Sequence, residues 1–80
     1  MPTYTPSPAS AAWQTAPAPT ADAWLQPIGG EIFVTEDAVP VEAKCGIVPD
    51  RIPYSVTSGK TVKYRSVNGN NVSVRMWDKT

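Results

Sequence analysis

The chain has 80 residues and a mass of 8.6 kDa, which limits it to one small domain. Nine prolines, five glycines and a single cysteine exclude both a helical bundle and a mini-protein stapled by disulfides. Histidine is absent, so the commonest general base and the commonest metal ligand are both missing. These counts predict a non-enzymatic protein with no catalytic residue, no metal site and no cofactor.

The formal net charge is zero, but the charges are divided along the chain. Residues 1–43 hold five acids and no base, whereas residues 44–80 hold seven bases and two acids. One interpretation is that halves of opposite sign attract each other within a chain or between copies. The other is chance in a short sequence, and both stay open.

Residues 1–29 are rich in Pro, Ala, Thr and Ser, and the prolines leave too few consecutive residues for a stable helix. We predict a long, extended, polyproline-like N-terminal arm. A disordered linker is the usual fate of such a composition, but a linker has no use for large apolar side chains. The arm has four, which we predict to bind a partner: Tyr4, Trp13, Trp24 and Leu25. A faint repeat relates Pro8–Trp13 to Pro19–Trp24.

Residues 30–80 are predicted to form a small β domain, because valine and isoleucine dominate their apolar side chains. Alternation over residues 32–35 predicts a first strand after Gly29-Gly30. Two further segments, residues 39–43 and 47–54, contain Pro40, Pro49 and Pro53. Proline cannot donate to a ladder, so these segments are predicted to be edge strands, strand ends or loops.

The strongest local pattern predicts a C-terminal hairpin over residues 61–77, with strands 61–67 and 71–77 around Asn68-Gly69-Asn70. A two-residue turn would put Tyr64 opposite Ser73. A three-residue loop with Asn70 in the left-handed conformation would put Tyr64 opposite Val74. The second register places five apolar residues on one face, and we predict it for that reason: Val62, Tyr64, Val72, Val74 and Met76. The predicted fold class is mainly β, a hairpin, barrel-like or sandwich module preceded by the arm.

The same register predicts a basic face on the other side of the hairpin, composed of Lys63, Arg65, Arg75 and Trp77. Lys63 would lie opposite Arg75, and like charges in that position destabilise a sheet. The face is therefore predicted to meet acidic groups or phosphates, or to lie fully in water. This is the basis for an alternative function, a nucleic-acid or polyanion-binding module.

Two short motifs invite a chemical interpretation that their context does not favour. Cys45 has no histidine to make it a thiolate, and a small buried cysteine is the better prediction. Residues 58–61, Ser-Gly-Lys-Thr, resemble the end of a phosphate-binding loop but lack its first glycine. We predict a hairpin-type turn there.

Size gives the leading functional hypothesis. A compact part of about fifty residues gains little from one core, and such domains usually add disulfides, metal or oligomerisation. We therefore expect an accessory structural component of a large symmetric assembly, anchored by the N-terminal arm and contacting other copies of itself. Decoration, joining or minor capsid proteins of phage virions have this general plan. We expect no membrane partner, and a cytoplasmic location or assembly into a virion made in the cytoplasm, because no segment approaches the ~20 apolar residues that cross a bilayer.

Overall fold

The computed structural model describes residues 3–36 and 45–79. These residues form two antiparallel four-stranded sheets, and the prediction of a mainly β protein is confirmed. The strands are β1 (Thr3–Tyr4), β2 (Gln14–Thr15), β3 (Ala23–Ile28), β4 (Ile32–Thr35), β5 (Gly46–Val48), β6 (Tyr54–Val56), β7 (Lys63–Ser66) and β8 (Ser73–Asp78). Across the described residues, no helix is long and apolar enough to cross a membrane.

The strand order follows from folding the chain back on itself. Sheet I has the order β1-β8-β3-β6, and sheet II has the order β2-β7-β4-β5. The first strand therefore pairs with the eighth, the second with the seventh, the third with the sixth and the fourth with the fifth. Rolling this long hairpin adds the pairs β3–β8 and β4–β7. The result is the strand order of a jelly roll, in which two sheets face each other across one core.

β3 shows how the sequence suits a central strand. Its residues alternate between the core and the outer face, and Ala23, Leu25 and Pro27 point inward. Pro27 has no N–H, and a proline is poorly tolerated in the middle of a sheet. β6 pairs with β3 only as far as Leu25, so the missing donor falls beyond that ladder. The Pro27 carbonyl is still used, because it accepts the Arg51 N–H at 2.8 Å.

The strands predicted from local signals downstream of Gly30 are present. β4 begins at Ile32, as the alternation predicted. β5 and β6 lie on either side of Pro49 and Pro53, and both are edge strands, which confirms the argument from the missing proline donors. The predicted proline-interrupted segment at residues 39–43 lies outside the described residues, as do the acids Asp37 and Glu42.

The predicted pairing of the C-terminal hairpin is wrong. β7 pairs with β4 and β2 in sheet II, whereas β8 pairs with β3 and β1 in sheet I. Tyr64 therefore lies opposite Val34 instead of Val74. Residues 67–72 cross from one sheet to the other, and Gly69, not Asn70, has the positive φ, at 81°. The consecutive strands that do pair with each other are β4 and β5.

The buried face predicted for these two strands is nevertheless correct. Its five members, Val62, Tyr64, Val72, Val74 and Met76, are all buried. They meet across the core from facing sheets instead of standing side by side on one sheet. A hairpin and a crossing between sheets bury the same alternate residues, because the alternation reports only the inward positions of each strand.

The core also uses residues from before Gly30. Leu25 is 0% exposed, and Ala9, Ala16 and Ala23 are buried with it. β3, which ends at Ile28, lies between β8 and β6 in the middle of sheet I. Each sheet therefore contains strands from both sides of Gly30. β1 and β2 are short, with two residues each, and lie at the sheet edges.

Candidate interaction surfaces

The outer face of sheet I carries two tryptophans side by side. Trp24 on β3 lies directly opposite Trp77 on β8, and Gln26 lies opposite Arg75. Such opposite residues on one face have Cβ atoms about 4.5–5.5 Å apart, so the two indoles are neighbours. The outward positions of the central strands of this sheet are Trp24, Gln26, Ile28, Ser73, Arg75 and Trp77.

Two cations lie against these rings. The Arg75 guanidinium carbon is 5.8 Å from the centre of the Trp77 ring. The Lys79 ammonium is 4.4 Å from the centre of the Trp24 ring and donates to the Ser55 hydroxyl at 2.7 Å. Each cation–π contact of this kind is worth about 0.5–1 kcal/mol at an exposed site. The side chains are therefore held in place before any ligand arrives.

A groove borders this face on the β1 side of β8. The N-terminal segment pairs with β8 at Tyr4 and again at the Ala9–Val72 bridge. Between these points Pro6 and Pro8 have no N–H to donate, and the segment does not pair with β8. The resulting open groove has a volume of about 490 Å³. Its walls include Tyr4, Pro6, Arg75 and Trp77.

The outer face of sheet II repeats the combination of cation and aromatic ring with a different arrangement. The Arg65 guanidinium carbon is 5.6 Å from the centre of the Trp13 ring and 5.1 Å from that of Phe33. Arg65 thus has two aromatic neighbours. The Lys63 ammonium donates to the Thr15 hydroxyl at 3.3 Å.

The structure divides the predicted basic face between these two surfaces. Lys63 and Arg65 lie on sheet II, while Arg75 and Trp77 lie on sheet I. The predicted contact of Lys63 with Arg75 is wrong, because it required β7 and β8 to pair. Two smaller cationic surfaces on opposite sides of the molecule replace one larger surface.

The four residues predicted to bind a partner are also separated. Leu25 is in the core, so its assignment to a binding surface is wrong: inward alternation on a central strand places it there. Trp13 and Trp24 lie on the outer faces of opposite sheets. Tyr4 is partly buried, and its hydroxyl donates to the Asp78 carboxylate at 2.8 Å and accepts the Thr20 N–H at 3.1 Å.

A third surface lies at the edge formed by β6 of sheet I and β5 of sheet II. Ile47 on β5 is 54% exposed, and Ile52 in the connection from β5 to β6 is 52% exposed. Pro49 and Pro53 beside them are exposed as well. We call these four residues the edge patch. Sequence reasoning missed this patch, because the isoleucines between the prolines indicated a strand but did not show whether their side chains would face the core or the solvent.

The connection that carries Ile52 is fixed to the end of β3. Arg51 donates its N–H to the Pro27 carbonyl at 2.8 Å and accepts the Gln26 side-chain amide at 2.7 Å. The Asp50 carboxylate accepts the Gly29 N–H at 2.8 Å. Arg51 itself has a φ of 65°, a left-handed conformation that is uncommon for a residue other than glycine. Such backbone strain persists only where its surroundings hold it in place.

The remaining chemical candidates give no site. Among residues 3–36 and 45–79, no three acidic or cysteine side chains are grouped so that they could hold a metal ion. Cys45 is partly buried just before β5. The turn predicted at residues 58–61 is present in part: Lys60 donates its N–H to the Thr57 carbonyl at 3.0 Å around Gly59, whose φ is 79°. It joins β6 to β7, which lie in different sheets.

No family model, no curated protein and no solved structure matches this chain. Three surfaces of the molecule are therefore the features from which a function can be proposed. The edge patch offers apolar area and open strand edges to another protein. The two outer faces offer cations and aromatic rings to an anionic ligand.

Proposed function

We propose that this chain is a non-enzymatic structural protein, an accessory component of a larger symmetric assembly, and that it docks through the edge patch. The observation that supports this is the exposure of Ile47 and Ile52, each more than half open to solvent on one edge of a small sandwich. A single exposed apolar side chain needs no explanation, but two large ones on an edge strand and the connection that follows it are typical of interaction surfaces.

The rigidity of the connection supports docking through this edge. Three hydrogen bonds fix residues 50 and 51 to the end of β3. The backbone that carries Ile52 is therefore already ordered and has little conformational entropy to lose on docking. A side chain that is already ordered costs less entropy to bury in an interface. Backbone strain at Arg51 fits the same interpretation, since strained residues cluster at binding sites.

The size of the protein defines how much surface docking requires. A standard interface buries about 800 Å² on each partner. That is about 18% of the 4500 Å² surface of this chain, more than two isoleucines supply. Among the described strands β5 lies at the edge of sheet II, and an edge strand can accept a strand from a partner through main-chain hydrogen bonds, which would provide the rest.

The N-terminal arm has a part in this proposal. Its first strand has two residues, and Pro6 and Pro8 prevent longer pairing with β8. β1 pairs with β8 at only two positions, while the Ala9–Val72 bridge and the Tyr64 hydroxyl anchor the residues behind it, so the exchange onto a neighbouring subunit involves β1 alone, as in domain swapping. The virion decoration, joining and minor capsid proteins named above are examples of the proposed class. Viral capsid domains also use the jelly-roll order, and this is an analogy of fold only.

Native mass spectrometry of the purified chain across a concentration series tests the proposal. We expect oligomers that Ile47→Asp combined with Ile52→Asp converts to monomers, with the strand content unchanged by circular dichroism. Thr61→Asp combined with Asn71→Asp adds the same charge at exposed positions elsewhere and serves as the control. A variant lacking residues 1–8 tests the arm. A wild-type chain that is monomeric at every concentration, or an edge-patch variant that assembles like the control, would refute docking through the edge patch.

A further inference from the structure

We propose that the outer face of sheet I binds single-stranded nucleic acid, with a base stacked on Trp77 in the adjacent groove and phosphates held by Arg75 and Lys79. This site is separate from the edge patch and does not depend on the proposed assembly role. Proteins that bind single strands combine aromatic platforms for the bases with cations along the backbone. The geometry of this face supplies both.

The stacking part of the site is Trp77 with its neighbours. Its ring borders the groove, and the Arg75 guanidinium lies 5.8 Å from its centre. Bases that are not paired stack on indole rings and on guanidinium planes. The groove volume of about 490 Å³ lies within the range of about 300–1,000 Å³ that small-ligand sites occupy. A single base therefore fits between Trp77 and the N-terminal segment.

The phosphate part of the site is defined by Lys79. Its ammonium is placed 4.4 Å above Trp24 and 2.7 Å from the Ser55 hydroxyl, so the charge is held over the face of the sheet instead of extending into solvent. Trp24 lies directly beside Trp77. A phosphate next to a base stacked on Trp77 would therefore meet a cation that is already positioned.

One carboxylate, that of Asp22, lies at the margin of this surface. Within the described strands of sheet I, no outward position carries an acid. Asp78 at the end of β8 is buried and accepts the Tyr4 hydroxyl at 2.8 Å. Asp22, just before β3, is exposed: its carboxylate accepts the Ser58 N–H at 2.9 Å, and its carbonyl accepts the Lys79 N–H at 2.9 Å, so the two cations Arg75 and Lys79 stand against this one acid. The local charge is positive although the net charge of the whole chain is zero.

The outer face of sheet II is the weaker candidate for the same ligand. One cation is shared by two rings there, since Arg65 is 5.6 Å from the centre of Trp13 and 5.1 Å from that of Phe33, whereas on sheet I Trp24 and Trp77 each have a cation of their own. The Lys63 ammonium is bonded to Thr15. This face therefore provides matched controls, since it has the same residue types in a different arrangement.

Fluorescence anisotropy at low salt with a labelled oligothymidylate measures binding, and an abasic strand of equal length separates stacking from charge. We expect the oligothymidylate to bind more tightly than the abasic strand and more tightly than duplex DNA, whose bases are already stacked. Trp77→Ala should weaken binding by roughly 5- to 150-fold, and Trp77→Phe should retain most of it. Trp13→Ala on the other face should leave the affinity unchanged.

Salt dependence tests the two cations. Each phosphate neutralised on a single strand contributes a slope of about −0.7 in log affinity against log salt, so two contacts predict about −1.4. Arg75→Gln and Lys79→Gln should each reduce the slope by about half, whereas Lys63→Gln should not change it. Circular dichroism confirms that each variant is folded.

Several outcomes would overturn the proposal. Equal affinity for the abasic strand would show charge attraction without stacking. A stronger preference for heparin or for duplex DNA would show a different ligand class. Equal losses from the Lys63 and Lys79 variants would show that the binding is not located on sheet I, and absence of binding at low salt would exclude the site altogether.

Discussion

Tyr64→Phe tests how the core is held together, because the hydroxyl of this residue has two measurable effects. Tyr64 is 0% exposed, and its hydroxyl donates a hydrogen bond to the Ser7 carbonyl. The bond links β7 in sheet II to the N-terminal segment that runs beside sheet I. Removing the hydroxyl deletes this bond, and because Ser7 is exposed, water can replace the lost donor, so the cost is that of an ordinary hydrogen bond, about 0.5–1.5 kcal/mol.

The second effect is a dependence of stability on pH. Burial raises the pKa of Tyr64 from its ordinary value of 10.0 to about 12. The unfolded chain therefore ionises this phenol at a pH where the folded chain keeps it neutral. The contribution of neutral Tyr64 to the free energy of unfolding is fully present below pH 10, and it is lost as the pH rises through 12. At pH 12 the loss amounts to about 2 kcal/mol.

Urea unfolding of the wild type and of Tyr64→Phe over a pH series measures both effects. At pH 7 we expect the variant to be less stable by about 0.5–1.5 kcal/mol. Between pH 10 and pH 12 the difference should shrink by about 2 kcal/mol, because only the wild type loses stability through this phenol. Burial also raises the pKa of Tyr54, but this residue is present in both proteins, so its contribution cancels. If the two stabilities fall in parallel over this range, the buried phenol does not account for the alkaline loss.

Two further changes test the packing. Leu25→Ala should cost about 2–5 kcal/mol, because it opens a cavity in the core between the two sheets, and a loss below 1 kcal/mol by urea unfolding would contradict the central position of β3. Gly30→Ala would put a Cβ 2.9 Å from Val72 Cγ2, and we expect a loss of about 1–3 kcal/mol and a melting temperature lower by roughly 4–8 °C per kcal/mol. Gly46→Ala is the control, since its Cβ would lie 3.9 Å from Val34 Cγ2, and equal losses at the two glycines would argue against crowding at Val72.

The inward positions of the strands could be predicted from the sequence because they depend on local alternation. Residues 72–76 have an apolar side chain at every second position, and a strand with one buried face needs nothing else, whereas all four residues of β4 are buried and the alternation of Ile32 with Val34 predicted only part of that set. The same holds for the prolines at positions 49 and 53, which exclude central strands through chemistry confined to one residue. Predictions of this kind do not require knowledge of distant contacts.

Strand partners could not be predicted in the same way. Asn68-Gly69-Asn70 is compatible with a hairpin, and a hairpin is the shortest connection between two strands. The alternative needs β3 to pair with β8, about fifty residues downstream, and β4 to pair with β7, about thirty residues downstream. Its advantage is collective: both strands become central, and both cover a shared core. A pattern read over a dozen residues contains no information about such a choice.

The outer face of sheet I likewise combines features that could be predicted from the sequence with features that could not. The sequence indicated that Arg75 and Trp77 share a face, because they are two positions apart on one strand. It did not indicate that Trp24 lies beside Trp77, since that neighbour comes from the opposite end of the chain. The prediction that Lys63 and Arg75 meet was wrong for the same reason. Residues on one strand could be assigned, and residues on different strands could not.

The two edges of the sandwich differ in a way that constrains any assembly. One side ends in β1 and β2, where Pro6, Pro8 and Pro17 limit further pairing. The other side ends in β5 and β6, and the edge patch lies on β5 and on the connection from β5 to β6. If the patch meets the same patch on a second copy, the contact is isologous and closes as a two-fold dimer. A larger ring requires the patch to meet a different surface, and the N-terminal edge is the natural candidate because its strand can exchange. A native mass of two subunits would therefore favour a dimeric building block, whereas a higher closed number would indicate that opposite edges join head to tail.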